Sequence, residues 1–394
     1  MKSTFRLSVL VLLLVLAVLP GALRGSGPAV AGAKGQLIVF DWSPFDNKDY
    51  YEDFAKKHPG VADVRIKADD ADIYDAVANR KEPADIIHPY TTWLKRWVDE
   101  GRVQEIKVEN LSNWDKVPES LKALGRCGLP SDNQPSNQSG RNSRGELLCA
   151  PALKGKQFFV PWDVGFSSIV YLKTDEVGPV ESWKALFDER YKGHIFMFDD
   201  GPSAVEVYSY AYPDERREYD EGKITTEQFA EKNRVAWKKQ KELLLDYWSG
   251  DDEQKLVDAM ASASGNVWVA YAWPSAYAAL KDALKDKGVE VEYAEPKEGR
   301  ISWVGVYGIL KDAKDYDLAL EFLDEKLSTR TAENVVEYGY AVANEEVWRG
   351  NPNATLKELS LDDPSVLKRT NFPPELTAKQ QKAWTEMWSR VRPN

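Results

Sequence analysis

Short apolar runs alternate with stretches of helical period along this chain, and the alternation predicts two strand–helix series. Gln36 to Asp41 reads as a strand and empties into the turn-like segment Trp42, Ser43, Pro44, Phe45, Asp46. Tyr50, Tyr51, Phe54 and Ala55 recur at helical spacing, and Pro59-Gly60 ends that helix. Val61 to Lys67 reads as a second strand, Ile73 to Ala78 as a helical apolar face, and Ala84 to Ile87 as a third strand. Strand, helix, strand, helix, strand is the pattern of a parallel α/β sheet. The second series begins with Ser182 to Phe187, an N-capped helix, and the strand Gly193 to Phe198. Ala204 to Tyr212 reads as a helix entered from the turn Asp199 to Ser203. Asp214 to Lys255 is charged and helical in pattern, with Trp237, Leu243, Leu244 and Trp248 as its core contacts. Gly265 to Trp273, Val289 to Ala294 and Ile301 to Leu310 read as strands, Ala276 to Leu284 as a helix, and the remainder from Tyr316 as helices.

Phe159 to Tyr171 joins the two series. It reads as an apolar strand, a corner at Pro161, the pair Trp162-Asp163, a glycine at 165, and a second apolar strand. Two readings of the pair stand side by side. Either the chain crosses between lobes here and turns Trp162 or Asp163 into the cleft, or Trp162 is buried and Asp163 forms a turn.

At 394 residues, 43% of them hydrophobic and 29% charged, the chain has an ordinary globular composition. A net charge of -11 with no cluster of Lys and Arg argues against nucleic acid as a partner. Lys2 and Arg6 precede the apolar run Leu7 to Leu19, which is too short to span a bilayer, and Ala29-Val30-Ala31 follows. These features predict a signal peptide over 1–31, cleaved after Ala31, and an exported protein. In an oxidising compartment Cys127 and Cys149 are expected to form a disulfide around the polar loop 128–148, the alternative being two free thiols. His58, His88 and His194 lack ligand spacing, so neither a metal nor another cofactor is expected.

The chain has no G-x-S-x-G, no H-E-x-x-H, no P-loop and no G-x-G-x-x-G. Its aromatic load, 14 Trp, 18 Tyr and 13 Phe, is high. In open α/β sheets ligands bind beyond the carboxyl ends of strands. Trp42, Tyr90, Thr92, Trp93, Trp162, Trp273 and Trp303 fall at such ends, with Ser43 beside the first. A box of flat faces suits a cation, at about 0.5–2 kcal/mol per contact, or a sugar. The free N–H groups of the helix after Asp200 are expected to face the cleft and hold a polar or anionic group, while Asp199-Asp200 is equally explained by plain N-capping. Two cleft carboxylates also leave room for a secreted carbohydrate-active hydrolase.

Three segments together resemble the periplasmic solute-binding proteins of ABC importers, of the spermidine/putrescine-binding type. They are Leu37 to Phe54; Phe159 to Asp200, with Trp183 to Phe187 and Tyr191 to Ile195 as landmarks; and Glu295 to Gly299, Trp303, Ala313-Lys314, Ala319 to Leu323 and Gly339 to Asn344. The resemblance implies two α/β lobes of the type II binding-protein fold with a ligand cleft between them, no catalysis, and an inner-membrane permease that receives the solute from a monomer. The expected division is 35–158 plus 273–307 for the first lobe, and 159–272 plus 308–394 for the second. Asp200 falls where the family has an amine-binding carboxylate, and Glu333 where it has a polar contact. Ser203, Ser275 and Gly305 stand where polyamine binders carry acids. With fewer acids, a solute with one cationic centre or none is expected, with Asp163 supplying any missing charge.

Overall fold

The computed structural model describes residues 35–43, 45–127, 149–240, 244–250, 252–262, 266–337, 340–359, 362 and 370–392. The signal-peptide expectation and the loop 128–148 lie outside them.

Among the described residues ten strands form the frame: β1 (Leu37–Asp41), β2 (Ala62–Ile66), β3 (Ile86–Ile87), β4 (Phe159–Lys173), β5 (Ile195–Phe198), β6 (Leu244–Trp248), β7 (Val269–Ala272), β8 (Glu290–Tyr293), β9 (Ile301–Ile309) and β10 (Ala341–Val342). The order is β2-β1-β3-β9-β4-β7-β5-β6, with β8 and β10 paired to β4. β1 pairs in parallel with β2 and β3, as the first strand–helix series predicts. β5 pairs in parallel with β6 and β7, which forms the second sheet. The two groups meet at β4 and β9, which are long and antiparallel. Residues Phe159 to Ser167 of β4 pair with β9, and residues Ser168 to Tyr171 pair with β7. This is a two-lobed α/β fold whose lobes share their central strands.

The crossing at 159–171 differs from the expected strand–corner–strand. β4 runs unbroken, and a bulge takes up the irregularity between Pro161 and Val164. Pro161 has no N–H to give the ladder, and the bulge sets two β4 residues, Trp162 and Asp163, against the single β9 residue Gly305. β10 covers the gap: Ala343 N–H donates to Trp162 C=O at 2.6 Å, and Val342 pairs with Asp163.

Two further readings are corrected. Leu244 to Trp248 is a strand rather than part of a helix, because it extends the second sheet beside β5. The C-terminal region, read as helical throughout, contains β10 and divides between the lobes. The helices Tyr316–Lys326 and Thr329–Glu337 pack on Lys48–Tyr51 and Glu52–Lys57 beside β1, tied by the Asn334 amide on Asp49 C=O and the Lys57–Glu321 ion pair at 2.6 Å. The helix Ala378–Ser389 instead packs against Gly201–Ala211 and Thr226–Gln240 of the second lobe.

Candidate ligand-binding site

The carboxyl ends of β1, β2, β3, β5 and β7 converge on one cavity between the lobes. It encloses about 640 Å³ of space, its mouth included. Trp42 leaves β1 with its indole Nε1–H donating to His88 C=O at 2.7 Å, which fixes the ring. Tyr90 stacks on that ring at 4.8 Å and 11°, and Trp303 lies beyond Tyr90 at 5.5 Å. From the other lobe Trp273, the residue that precedes helix Pro274–Leu284, meets Trp42 edge-on at 6.4 Å and packs against Phe198 at 5.1 Å.

Acidic groups stand among these rings. Asp69 caps helix Asp70–Ala78 by accepting from Asp72 N–H at 2.6 Å. Asp70 is buried and accepts from Tyr90 N–H at 3.0 Å. Asp200 caps helix Gly201–Ala211 by accepting from Ser203 N–H at 2.7 Å. Glu206 lies three residues beyond Ser203 on that helix and lines the same cavity. One of its oxygens is 3.7 Å from Arg216, and the other is buried without a hydrogen-bond partner among the described residues. No Lys, Arg or His belongs to the described lining.

Each of these acids titrates higher than usual. Burial pushes the Asp70 carboxyl well above the ordinary carboxylate range, against the Tyr90 N–H that favours its charged form, and Asp200 and Asp69 push it further. Burial between the lobes raises Asp200 to about 7, with Ser203 opposing and Asp69 and Asp199 adding repulsion. Asp69 and Glu206 are also raised, chiefly by burial. A cavity that holds desolvated acids close together, with no basic residue on its wall, favours a proton or a cation in their midst. It does not favour an anion. The expected anion-holding N-terminus is taken by Asp200 itself, which occupies the Ser203 N–H.

Of the residues picked from the sequence, Trp42, Tyr90, Thr92, Trp93, Asp200, Ser203, Trp273 and Trp303 line this cavity. The others lie elsewhere. Ser43 is exposed in the turn after β1, and Glu333 is exposed on helix Thr329–Glu337. Ser275 hydrogen-bonds Glu253 at 2.6 Å and Tyr340 at 2.5 Å. Trp162 is buried behind the cavity, its Nε1–H on Lys326 C=O at 2.8 Å and the Lys326 ammonium 4.2 Å over its ring. Asp163 is buried against His88. The bulge faces both residues away from the ligand space, so Asp163 does not supply the charge assigned to it. At Gly305 a Cβ would fall 1.9 Å from Asp163 Oδ1 and 2.3 Å from His88 Nε2, so this pair excludes an acid there.

Asp69, Asp70, Glu206 and Tyr271 were not among the sequence candidates and stand on the cavity wall. The strand-end rule reaches Asp69 and Asp70, which follow β2 as Trp42 follows β1. Glu206 is legible only once helix Gly201–Ala211 is known to aim its first two turns at the cleft.

The fold is two-lobed, and the candidate cavity lies between the lobes. Residues 49–358 match the bacterial extracellular solute-binding protein family, and the chain belongs to that family. It is 22% identical to a putrescine/cadaverine-binding protein of Pseudomonas aeruginosa over 93% of this chain and 96% of that one. It is 24% identical to the spermidine/putrescine-binding periplasmic protein of Escherichia coli, over 82% of each. Among solved structures it is similar to a putative spermidine/putrescine ABC transporter protein from Listeria monocytogenes, with a TM-score of 0.67, 17% identity, and coverage of 91% of this chain and 99% of that one. These relatives lend no support to the hydrolase alternative.

Proposed function

We propose that this chain captures a small aliphatic amine with two cationic ends in the periplasm and presents it to the permease of an ABC importer. It acts without catalysis, as a monomer exported by the segment 1–31. The observation that carries the reading is the pairing of acids and rings: Asp70, Asp200 and Glu206 on one cavity with Trp42, Tyr90 and Trp273, and no basic residue on the described wall. These acids replace the charge missing at Ser203, Ser275 and Gly305, so the expectation of a single cationic centre gives way to two. Asp70 and Asp200 face one end of the ligand beside the Trp42–Tyr90 stack, and Glu206 takes the other. The names of the relatives from Pseudomonas aeruginosa and Escherichia coli point to the same class of solute.

A thermal-shift screen against diamines, polyamines, betaines, amino-acid derivatives and sugars tests this. A ligand at a hundred times its Kd stabilises the folded state by about 2.7 kcal/mol. The expected result is that putrescine, cadaverine or spermidine raises Tm while sugars do not. Stabilisation by a neutral sugar with no response to any amine overturns the reading.

A further inference from the structure

Two contacts join the lobes at the border of the ligand cavity, each between a second-lobe residue that does not line it and a first-lobe residue that does. The first is at Gly250, in the turn after β6. A Cβ there would lie 2.7 Å from the backbone oxygen of Ala68, which follows β2, and 3.0 Å from the Trp42 ring. The obstacle is main chain, which cannot swing aside as a long side chain does. Gly250 has no left-handed φ, so its hydrogen is needed for the approach and not for the local turn. The second contact is at the Thr92 carbonyl, on the first lobe after β3. Leu376 N–H donates to it at 3.0 Å and the Gln381 side-chain amide at 3.3 Å, both from the C-terminal segment whose helix Ala378–Ser389 packs on the second lobe. Gln381 is fully buried. Neither Gly250 nor Gln381 lines the cavity.

We infer that Gly250 and Gln381 form a latch that holds the lobes closed independently of the ligand and so sets the fraction of binding-competent protein. Affinity in such a protein is the intrinsic Kd divided by the closed fraction. A side chain at 250 wedges β6 of one lobe off the end of β2 and the Trp42 ring in the other and opens the cleft. Loss of the Gln381 amide removes one of two donors on a shared carbonyl and has a smaller effect in the same direction. The latch borders the site described above and rests on that reading for its ligand, whereas scattering of the ligand-free protein reads the lobe positions apart from the nature of the ligand.

Small-angle scattering of ligand-free protein is the direct test. The parent is expected to contain a measurable closed fraction that fits this structure. Gly250→Val is expected to shift to the open form with a larger radius of gyration, with Gly250→Ala and Gln381→Ala between. Far-UV circular dichroism of Gly250→Ala keeps the test valid if the valine variant fails to fold. With putrescine as the probe, calorimetry is expected to show roughly tenfold weaker binding for Gly250→Ala. A parent that fits only the open form without ligand overturns the latch. So does a Gly250→Ala variant with the parent's scattering curve. If no amine binds but the variants still open, the latch stands and the amine reading falls.

Discussion

The imidazole Nε2 of His88 lies 2.9 Å from Asp163 Oδ1, while Nδ1 of the same ring lies 2.6 Å from Asp41 Oδ1. One side chain therefore ties the end of β1 to the bulge of β4, all three groups being buried. Burial alone would lower the His88 pKa, but Asp163 and Asp41 outweigh it and push it up to about 9, so the ring is a cation between two carboxylates. Asp163→Asn leaves His88 with one charged partner, and breaking a buried pair costs about 3–5 kcal/mol. We predict a loss of that size in urea unfolding, with ligand affinity of the folded variant unchanged. Weakened binding at unchanged stability would return Asp163 to the ligand site.

Stability of the ligand-free protein is predicted to fall as pH rises from about 4 to about 8. Asp200 is raised to about 7 in the folded state, so between the ordinary carboxylate value and 7 the folded state holds the extra proton and loses stability as pH increases. His88 is raised as well, so its contribution is complete below about 6.5 and is lost as pH rises towards 9. Lys326 has the opposite sign. Burial lowers its pKa to about 8, against Asp41 and Asp163, so from 8 to about 10.4 it restores stability with rising pH. Thermal unfolding across pH 4–10 is expected to show the fall and then a levelling. In Asp200→Asn the segment between 4 and 7 becomes shallower, the other raised acids keeping part of the slope, and a profile that rises from 4 to 7 in the parent contradicts the assignment.

How far the sequence carries the fold depends on which residues state their surroundings. β1, β2 and β3 are legible because each is a compact apolar run between turn signals, and so are β5, β7 and β9. β6 is not: Leu243, Leu244 and Trp248 fit a helical stripe as well as a strand, and only the neighbouring β5 decides between them. β10 has two residues, too few for any period, and exists because the β4 bulge leaves Trp162 C=O open to Ala343. The site shows the same divide. Of the aromatic residues read at strand ends, Trp42, Tyr90, Trp93, Trp273 and Trp303 stand on the cavity wall and Trp162 does not, whereas Asp163 and Glu206 are ordinary acids in sequence. A register shift buries the first, and a helix direction exposes the second to the cavity.

The disulfide Cys127–Cys149 spans a Cα–Cα distance of 5.4 Å, and Cys127 exchanges backbone hydrogen bonds with Lys156 and Gly155, just ahead of β4. Its sequence separation is 22 residues. Closure of a loop of that order stabilises a fold by roughly 3 kcal/mol in the chain-entropy view. The double variant Cys127→Ser/Cys149→Ser is predicted to lose about that amount in urea unfolding, with solute affinity unchanged because neither residue meets the cavity. An affinity loss at full stability would place the loop at the ligand.

The cavity acids make a final prediction about charge. Asn caps a helix nearly as well as Asp, so Asp200→Asn should leave helix Gly201–Ala211 in place and remove only the negative charge. If the solute is a diammonium, loss of this buried partner is expected to cost about 3–5 kcal/mol of binding, whereas one cation–π face such as Trp42 is worth about 0.5–2 kcal/mol. Asp200→Asn should therefore weaken binding far more than Trp42→Phe. The same chemistry couples binding to protons. With its pKa raised to about 7 by burial, Asp200 is largely protonated at pH 6, and an arriving ammonium group stabilises its charged form and expels the proton. Calorimetry at pH 6 in two buffers of different ionisation enthalpy should thus give different apparent enthalpies, and the difference should shrink in Asp200→Asn. Affinity should rise with pH between about 5 and 7. Buffer-independent heats at pH 6, together with an Asn variant that binds as tightly as the parent, would show that the solute approaches Asp200 without a positive charge.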